Sequence, residues 1–404
     1  MSIASSRART WFKGLGILTV ATALANGLSL ALSLILSRGL TPAEYGGIAA
    51  LLAVSVVGSV PAQAEQFLAA RHQAGDHTRH SVARAWLVAA LLVVGFTTLV
   101  GPLAHWLDVS RLDVVLLGLN LAPLTVLGVY LGVLLGAGKQ AAFGWLLVII
   151  AGGRVIAALL AFQGGGGITS FLSWALVAAW ATFGVGFVMS RRLFRQAWTW
   201  RPEEWRPYFV GVSTIAGIYV LTSIDTVAAR LLLTPATSGE FAVSSLWSRV
   251  AFWLPQAIAL SVFPLVAAGR GDRRLLMAAV GLVVSCGLIL GAFGLCFGLQ
   301  VTELTSGSDY DQAHRFIPWQ VLIGTLGATL QLLSLHGLAA SRRVVEHVVW
   351  LVCGVELIAL SVFRPALPAG IITIQIAVQL VAVMIAMQYE WRGLAVRQTS
   401  EGEQ

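Results

Sequence analysis

The sequence predicts an all-α integral membrane protein of about twelve transmembrane helices, arranged as two six-helix lobes related by a pseudo-twofold axis along the membrane normal. Three observations predict it. The chain has 404 residues, of which 57% are hydrophobic and 11% charged, against about 25% charged in an ordinary soluble domain. Apolar runs recur at close to the ~20 residues that a helix needs to cross the hydrocarbon core. The basic side chains fall in small groups between those runs, on alternate connections, as cytoplasmic loops require.

In order, the expected spans are 14–36, 45–70, 82–104, 112–137, 142–163, 168–190, 208–233, 240–268, 275–299, 315–339, 345–363 and 368–388. The first follows Arg7, Arg9 and Lys13, and Ala23-Leu24-Ala25 has the small-residue pattern of a leader cleavage site. The apolar run nevertheless continues to Leu36, so the segment reads as an uncleaved span. With the N-terminus cytoplasmic, 19 of the 26 Lys and Arg residues fall inside, five outside, and two, Arg154 and Arg249, within spans. This bias supports the span count and puts both termini on the cytoplasmic side. Between spans six and seven, residues 191–207 hold five arginines with Trp198, Trp200 and Trp205, a composition suited to the headgroup region. The expected division is an N-terminal lobe over 1–190, a basic amphipathic cytoplasmic linker over 191–207, a C-terminal lobe over 208–390 and a cytoplasmic tail over 391–404.

The halves share a local repeat. Leu40-Thr41-Pro42-Ala43 with Gly46 returns as Leu233-Thr234-Pro235-Ala236 with Gly239. Pro61-Ala62-Gln63-Ala64 has a counterpart in Pro255-Gln256-Ala257, and Gly75-Asp76 in Gly271-Asp272. Each copy joins helices one and two of a six-helix unit. Six is even, so both units share one membrane orientation, the parallel type of repeat. A two-lobed transporter with a central cavity follows from that arrangement.

Several functions are disfavoured. The net charge of +8 is spread over loops rather than gathered in a patch, so nucleic acid is not an expected partner. Cys286, Cys296 and Cys353 stand in apolar stretches without metal or disulfide spacing and read as buried thiols. Gly136-Ala137-Gly138-Lys139-Gln140 fails as a phosphate loop, because Val133 stands where the first glycine is needed and Gln140 replaces Ser or Thr. No cofactor or metal is expected. The drive for transport is then an ion gradient, proton or sodium, or the substrate's own gradient.

The polar residues within spans are the candidates for function. Thr19, Thr22, Asn26, Ser29, Ser33 and Ser37 lie on one face of the first helix, and Gln320, Gly324, Gly327, Gln331 and Ser334 on one face of the tenth. Such faces line either a cavity or a helix–helix contact; the two together favour the cavity. Glu65, Arg154, Asp225, Arg249 and Glu356 are charged within spans, each at a cost of ~2.5–3.5 kcal/mol at mid-bilayer. Glu65 is near enough to the cytoplasmic end to snorkel. Asp225 and Arg249 either pair with each other or serve function, the arginines attracting an anionic headgroup such as a pyrophosphate while Asp225 or Glu65 titrates. His336, Glu346 and His347 lie near the inner surface and read as solvated. Gly128, Gly132 and Gly136 form a close-packing ridge.

Leu36-Ser37-Arg38-Gly39-Leu40-Thr41-Pro42-Ala43-Glu44-Tyr45-Gly46 resembles the signature after helix one of the polysaccharide (O-antigen type) flippases, a family of the multidrug/oligosaccharidyl-lipid/polysaccharide (MOP) exporter superfamily. Asp225, Thr234-Pro235-Ala236, Gly239 and Phe241 resemble its second-half signature. The resemblance implies a MATE-like fold that alternates between inward- and outward-open states. It implies movement of an undecaprenyl-diphosphate-linked oligosaccharide to the outer leaflet of a bacterial cytoplasmic membrane, for cell-surface polysaccharide synthesis. Membrane lipids and a polysaccharide polymerase machinery are the implied partners. Arg154 and Arg249 would then hold the diphosphate. Asp225, Glu65 and Glu356 would be the coupling carboxylates, and Thr22, Asn26, Ser29, Ser33, Gln320 and Gln331 would line the cavity. The shortage of cationic residues within spans departs from a strongly basic cavity.

Three other readings stay open. A cation-coupled drug exporter of the same superfamily requires an acidic, aromatic cavity. A membrane glycosyltransferase or polymerase requires a sizeable outer loop with catalytic acids, and the largest one expected, about 300–314 with Glu303, Asp309 and Asp311, is short. A non-transporting assembly partner requires neither.

Overall fold

The computed structural model describes residues 2–74, 79–193, 195–197, 205–255, 273–339 and 344–402. Eight of its helices are long and apolar enough to cross a membrane, and ten if each of two bent pairs is one span. The two further expected spans are present as Pro235–Trp253, beyond which 256–272 lies outside the described residues, and as a helix apolar over His347–Phe363. The chain is a multi-pass membrane protein. Large apolar side chains such as Leu288, Ile289 and Leu295 face outward, which a lipid solvent explains and water does not. Contacts divide the chain into two units, residues 1–40 with 50–216, and 41–49 with 217–404. This differs from the expected lobes at two places: 41–49 groups with the second half, and the start of the seventh span with the first.

Unit 1 is built around α6 (Arg111–Gly136). Around it pack α3 (Val60–Ala74), α4 (Val82–Thr98) and α8 (Ile168–Ser190); α7 (Gln140–Gln163) lies against α8 and carries α1 (Ser2–Gly39). The close approach of α3 is made by the expected glycine ridge. A Cβ on Gly128 would overlap the Ala62 carbonyl, one on Gly132 would meet the Ala69 side chain at 2.7 Å, and one on Gly136 would meet Gln73 at 2.7 Å. Only hydrogen at those positions lets two backbones come this near. A capping box starts α6: Ser110 Oγ accepts from the Asp113 amide at 3.1 Å, and Asp113 accepts from the Ser110 amide at 3.1 Å. The Thr169 hydroxyl donates to the other Asp113 oxygen at 2.6 Å and ties α8 to the same corner. The fourth helix bends by 62° into α5 (Val100–Leu107). The structure is not purely helical: β1 (Arg79–Ser81) pairs in parallel with β2 (Arg195–Ala197), so part of the linker is held to the first basic loop. Gly75, Asp76, Trp198, Trp200 and Arg201 lie outside the described residues.

The seventh span is broken. Helix α9 (Trp205–Leu221) is followed after Thr222 and Ser223 by α10 (Ile224–Leu232), bent by 48°. In unit 2, α10 is followed by α11 (Pro235–Trp253), α12 (Arg273–Ser306), a 3₁₀ segment (Ser308–Phe316), α13 (Ile317–Ala339), α14 (Val344–Phe363) and α15 (Pro368–Gly402). Its core gathers Leu221, Leu276, Val283, Leu333, Val349 and Ala386. Gly324 of α13 lies on the Ser248 carbonyl and the Ala251 side chain, and Gly327 on Phe252. The glycines of the expected cavity stripe thus serve helix packing. Helix α12 runs through Glu303 to Ser306, so the connection after it is shorter than the expected 300–314 loop. The expected tail continues α15 as helix to Gly402. Cys353 is buried as expected and donates its thiol to the Gly217 carbonyl at 3.4 Å, whereas Cys296 is exposed, between Leu295 and Phe297 on the apolar surface of α12.

Candidate functional site

The intramembrane charges fall into two clusters of different character, one in each unit. In unit 1, Glu65 of α3 is 1% exposed and forms a two-pronged ion pair with Arg84 of α4: Nε donates to one carboxylate oxygen at 2.9 Å and Nη2 to the other at 2.8 Å. The Arg84 guanidinium lies 5.3 Å from the centre of the Tyr208 ring, which closes the pair from above. Tyr208 packs on Ala64, Leu68 and Val88, which is why the start of α9 groups with unit 1. The expectation that Glu65 snorkels is therefore corrected. Its carboxylate is sealed, and Arg84, counted from sequence among the loop cations, is an interior residue. The signal for Arg84 was present: a carboxylate within a span needs a cation within reach.

Arg154 lies on α7, half-buried, and among the described residues no side chain or carbonyl bonds it. Its helix packs between α1 and α8, and a Cβ on the adjacent Gly153 would lie 3.3 Å from the Ala178 side chain. The polar stripe of α1 is partly self-satisfied. Ser29 donates to the Ala25 carbonyl at 2.9 Å, Ser33 to that of Ser29 at 3.3 Å and Ser37 to that of Leu34 at 3.0 Å. Thr22 and Asn26, both half-buried, make no such bond among the described residues.

In unit 2, Asp225 occupies the first turn of α10, beside the break in the seventh span. A carboxylate there meets the positive end of a half-helix, and broken membrane helices of this kind are where transporters build polar sites. Asp225 is 3% exposed; its Oδ1 accepts from the Thr226 amide at 2.7 Å and the Thr226 hydroxyl at 3.2 Å. The Gln375 amide of α15 and the charge of Arg249 on α11 both act on the same carboxylate. Among the described residues no direct ion pair joins Asp225 to Arg249. Glu356 of α14 is within electrostatic reach of Asp225. It is fully buried, and neither of its oxygens has a partner; the same holds for both amide atoms of Gln320 on α13 and for the Oε1 atoms of Gln375 and Gln379. Gln320 is thus enclosed rather than open to a cavity, and Gln331 is half-buried. Buried polar atoms left unbonded cost about 1–3 kcal/mol each, which sets this group in unit 2 apart from the fully paired Glu65 and Arg84. Among the described residues no group of three or more His, Cys, Asp or Glu side chains could hold a metal ion. Gln256 lies outside the described residues, as do the side chains of Ser334, His336 and Glu346; His347 is exposed.

No protein-family model matches the chain, and no curated protein matches it by sequence. Solved structures do match. One is a multidrug resistance MATE-family transporter of the MOP superfamily in an inward-facing conformation, at a TM-score of 0.76 and 12% identity over 95% of this chain and 99% of that one. This chain shares the fold of that transporter. The lipid II flippase MurJ, in an inward closed conformation, is similar at a TM-score of 0.76 and 11% identity, over 92% of this chain and 87% of that one. A MOP-superfamily transporter from Pyrococcus furiosus, described as having a binding pocket of reverse polarity, is similar at a TM-score of 0.64 and 13% identity, over 92% and 93%. The MATE-like two-unit architecture expected from the sequence is therefore the one observed, with the count of twelve spans approximate.

Proposed function

We propose that the protein is a secondary transporter that moves a lipid-linked oligosaccharide, carried on undecaprenyl diphosphate, from the cytoplasmic to the outer leaflet. The observation that carries this reading is Arg154: a permanently charged guanidinium on a membrane helix, with no partner among the described residues. Its donor fork matches a phosphate oxygen pair, and an anion in the bilayer compensates the cost of placing it there. The likeness in fold to a lipid II flippase supports a substrate of this class. Arg249 serves less directly, because Asp225 already draws on its charge.

Coupling falls to unit 2. Asp225 and Glu356, with Gln375 beside them, form an acidic centre that a proton or a sodium ion neutralises. The same centre favours a second reading, a cation-coupled drug exporter, and the likeness to multidrug transporters supports that equally. The deciding experiment is flipping of a labelled undecaprenyl-diphosphate oligosaccharide in proteoliposomes, wild type beside Arg154→Gln. Loss of most transport in a variant that folds normally supports the flippase. Absence of any lipid-linked transport, with proton- or sodium-driven efflux of organic cations that needs Asp225, replaces it with the exporter.

A further inference from the structure

We propose that the paired strands β1 and β2 form a binding site for the phosphate of an anionic membrane lipid, centred on the register position that Arg79 and Arg195 share. The strands join two connections far apart in sequence. β1 leads directly into α4 at Val82, and β2 begins five residues after α8 ends at Ser190. Both therefore lie within a few residues of the ends of membrane helices, at the depth where headgroups begin.

The register sets two cations side by side. In the parallel pair Arg79 stands beside Arg195, His80 beside Gln196 and Ser81 beside Ala197. Neighbouring strands are about 4.8 Å apart, and like charges directly opposite each other weaken the pairing. Two strands of three residues each are marginal in any case. A pairing that nevertheless aligns two arginines fits a shared counter-ion.

Among the described residues, protein carboxylates do not supply one. The acids of unit 1 described are Glu65, Asp108 and Asp113. Arg84 takes Glu65. The other two stand at the start of α6, whose opposite end, Gly136, packs on Ala70 and Gln73 at the close of α3, the helix that β1 contacts. Over 71–81 and 191–206 the sequence holds seven arginines against three acids, Asp76, Glu203 and Glu204, so pairing all three still leaves a cationic surplus. Arg71, Arg191 and Arg192, the described arginines nearest the strands in sequence, are exposed.

The chemistry of the partner follows from the place. A planar guanidinium fork matches two oxygens of a phosphate, and two forks at one register position suit one phosphodiester. Where membrane helices end, the phosphate at hand is a lipid headgroup, and an anionic surface is worth about 1 kcal/mol per Arg. The site is independent of the transported substrate.

The test is native mass spectrometry of the full-length protein in neutral detergent, titrated with phosphatidylglycerol or phosphatidylcholine. Wild type is expected to hold one phosphatidylglycerol more tightly than any phosphatidylcholine. Arg79→Gln and Arg195→Gln are each expected to weaken that binding about fivefold, and the two together about 25-fold. Lys139→Gln removes an exposed cation at the same end of unit 1 but outside the strands, and is expected to change it by less than about twofold. In lipid-free detergent the double variant loses only a like-charge contact, so its unfolding temperature is expected to be no lower than that of wild type. Equal weakening by Lys139→Gln and the strand variants overturns the site, because the attraction is then diffuse. Unchanged affinity in both strand variants overturns it as well, and so does a lower unfolding temperature of the double variant, which makes the arginines structural. Displacement of the lipid by an equal concentration of inorganic phosphate overturns the lipid assignment in favour of a soluble ligand. No transport is measured, so failure of the flippase reading leaves each of these outcomes unchanged.

Discussion

Two regions of this molecule bury carboxylates in apolar surroundings, and they treat them in opposite ways. In unit 1, Glu65 is matched oxygen by oxygen with the Arg84 guanidinium and covered by Tyr208. In unit 2, Asp225 shares one oxygen among short local donors, feels Arg249 without a direct pair, and neighbours a Glu356 with no hydrogen bond at all. A buried pair with every lone pair directed is a structural joint, because removing either member strands the other. A buried carboxylate with open valences is costly as an isolated anion, which marks it as a candidate for function rather than for a joint. Burial alone did not separate the two; hydrogen-bond completeness did.

The comparison breaks most sharply at the joint. Arg84→Met leaves Glu65 buried and unpaired, and is expected to cost about 3–5 kcal/mol, seen as a collapse of the unfolding temperature in detergent. Adding Glu65→Met to it should restore most of the loss. If Arg84→Met alone is as stable as wild type, the pair is not structural. Glu356→Gln sharpens the contrast from the other side. No bond is lost, so stability should change by less than about 1 kcal/mol, while gradient-driven transport should fall by about tenfold or more. A stable variant that transports normally would remove Glu356 from coupling. The smallest effect belongs to the α1 stripe. The Ser29 hydroxyl bonds only its own helix, so Ser29→Ala should alter stability by less than about 0.6 kcal/mol and leave transport intact. A large transport defect there would return the stripe to the cavity lining.

Much of the fold was legible because the bilayer imposes simple rules. Span length and the glycine ridge of α6 each follow from local composition. The site was legible only as a set of residue types. Asp225, Glu356, Arg154 and Arg249 stand out in sequence because charge within a span is costly. Their partners do not: Arg84 looked like a loop cation, and the amides of Gln375 and Gln379 carried no expectation, since neutral polar side chains in an apolar helix are ambiguous.

The sequence by itself determined the membrane class, the approximate number of spans, the internal repeat and the residues whose burial would be expensive. All of these depend on neighbours along the chain or on the uniform solvent around it. Only the tertiary structure decided which charges are satisfied and which are left open, that the seventh span breaks beside Asp225, and that the two repeat copies dock on each other through Gly46 and Gly239. These depend on atoms brought within about 3 Å from helices far apart in sequence, at distances that hydrogen bonding enforces and that no periodicity encodes.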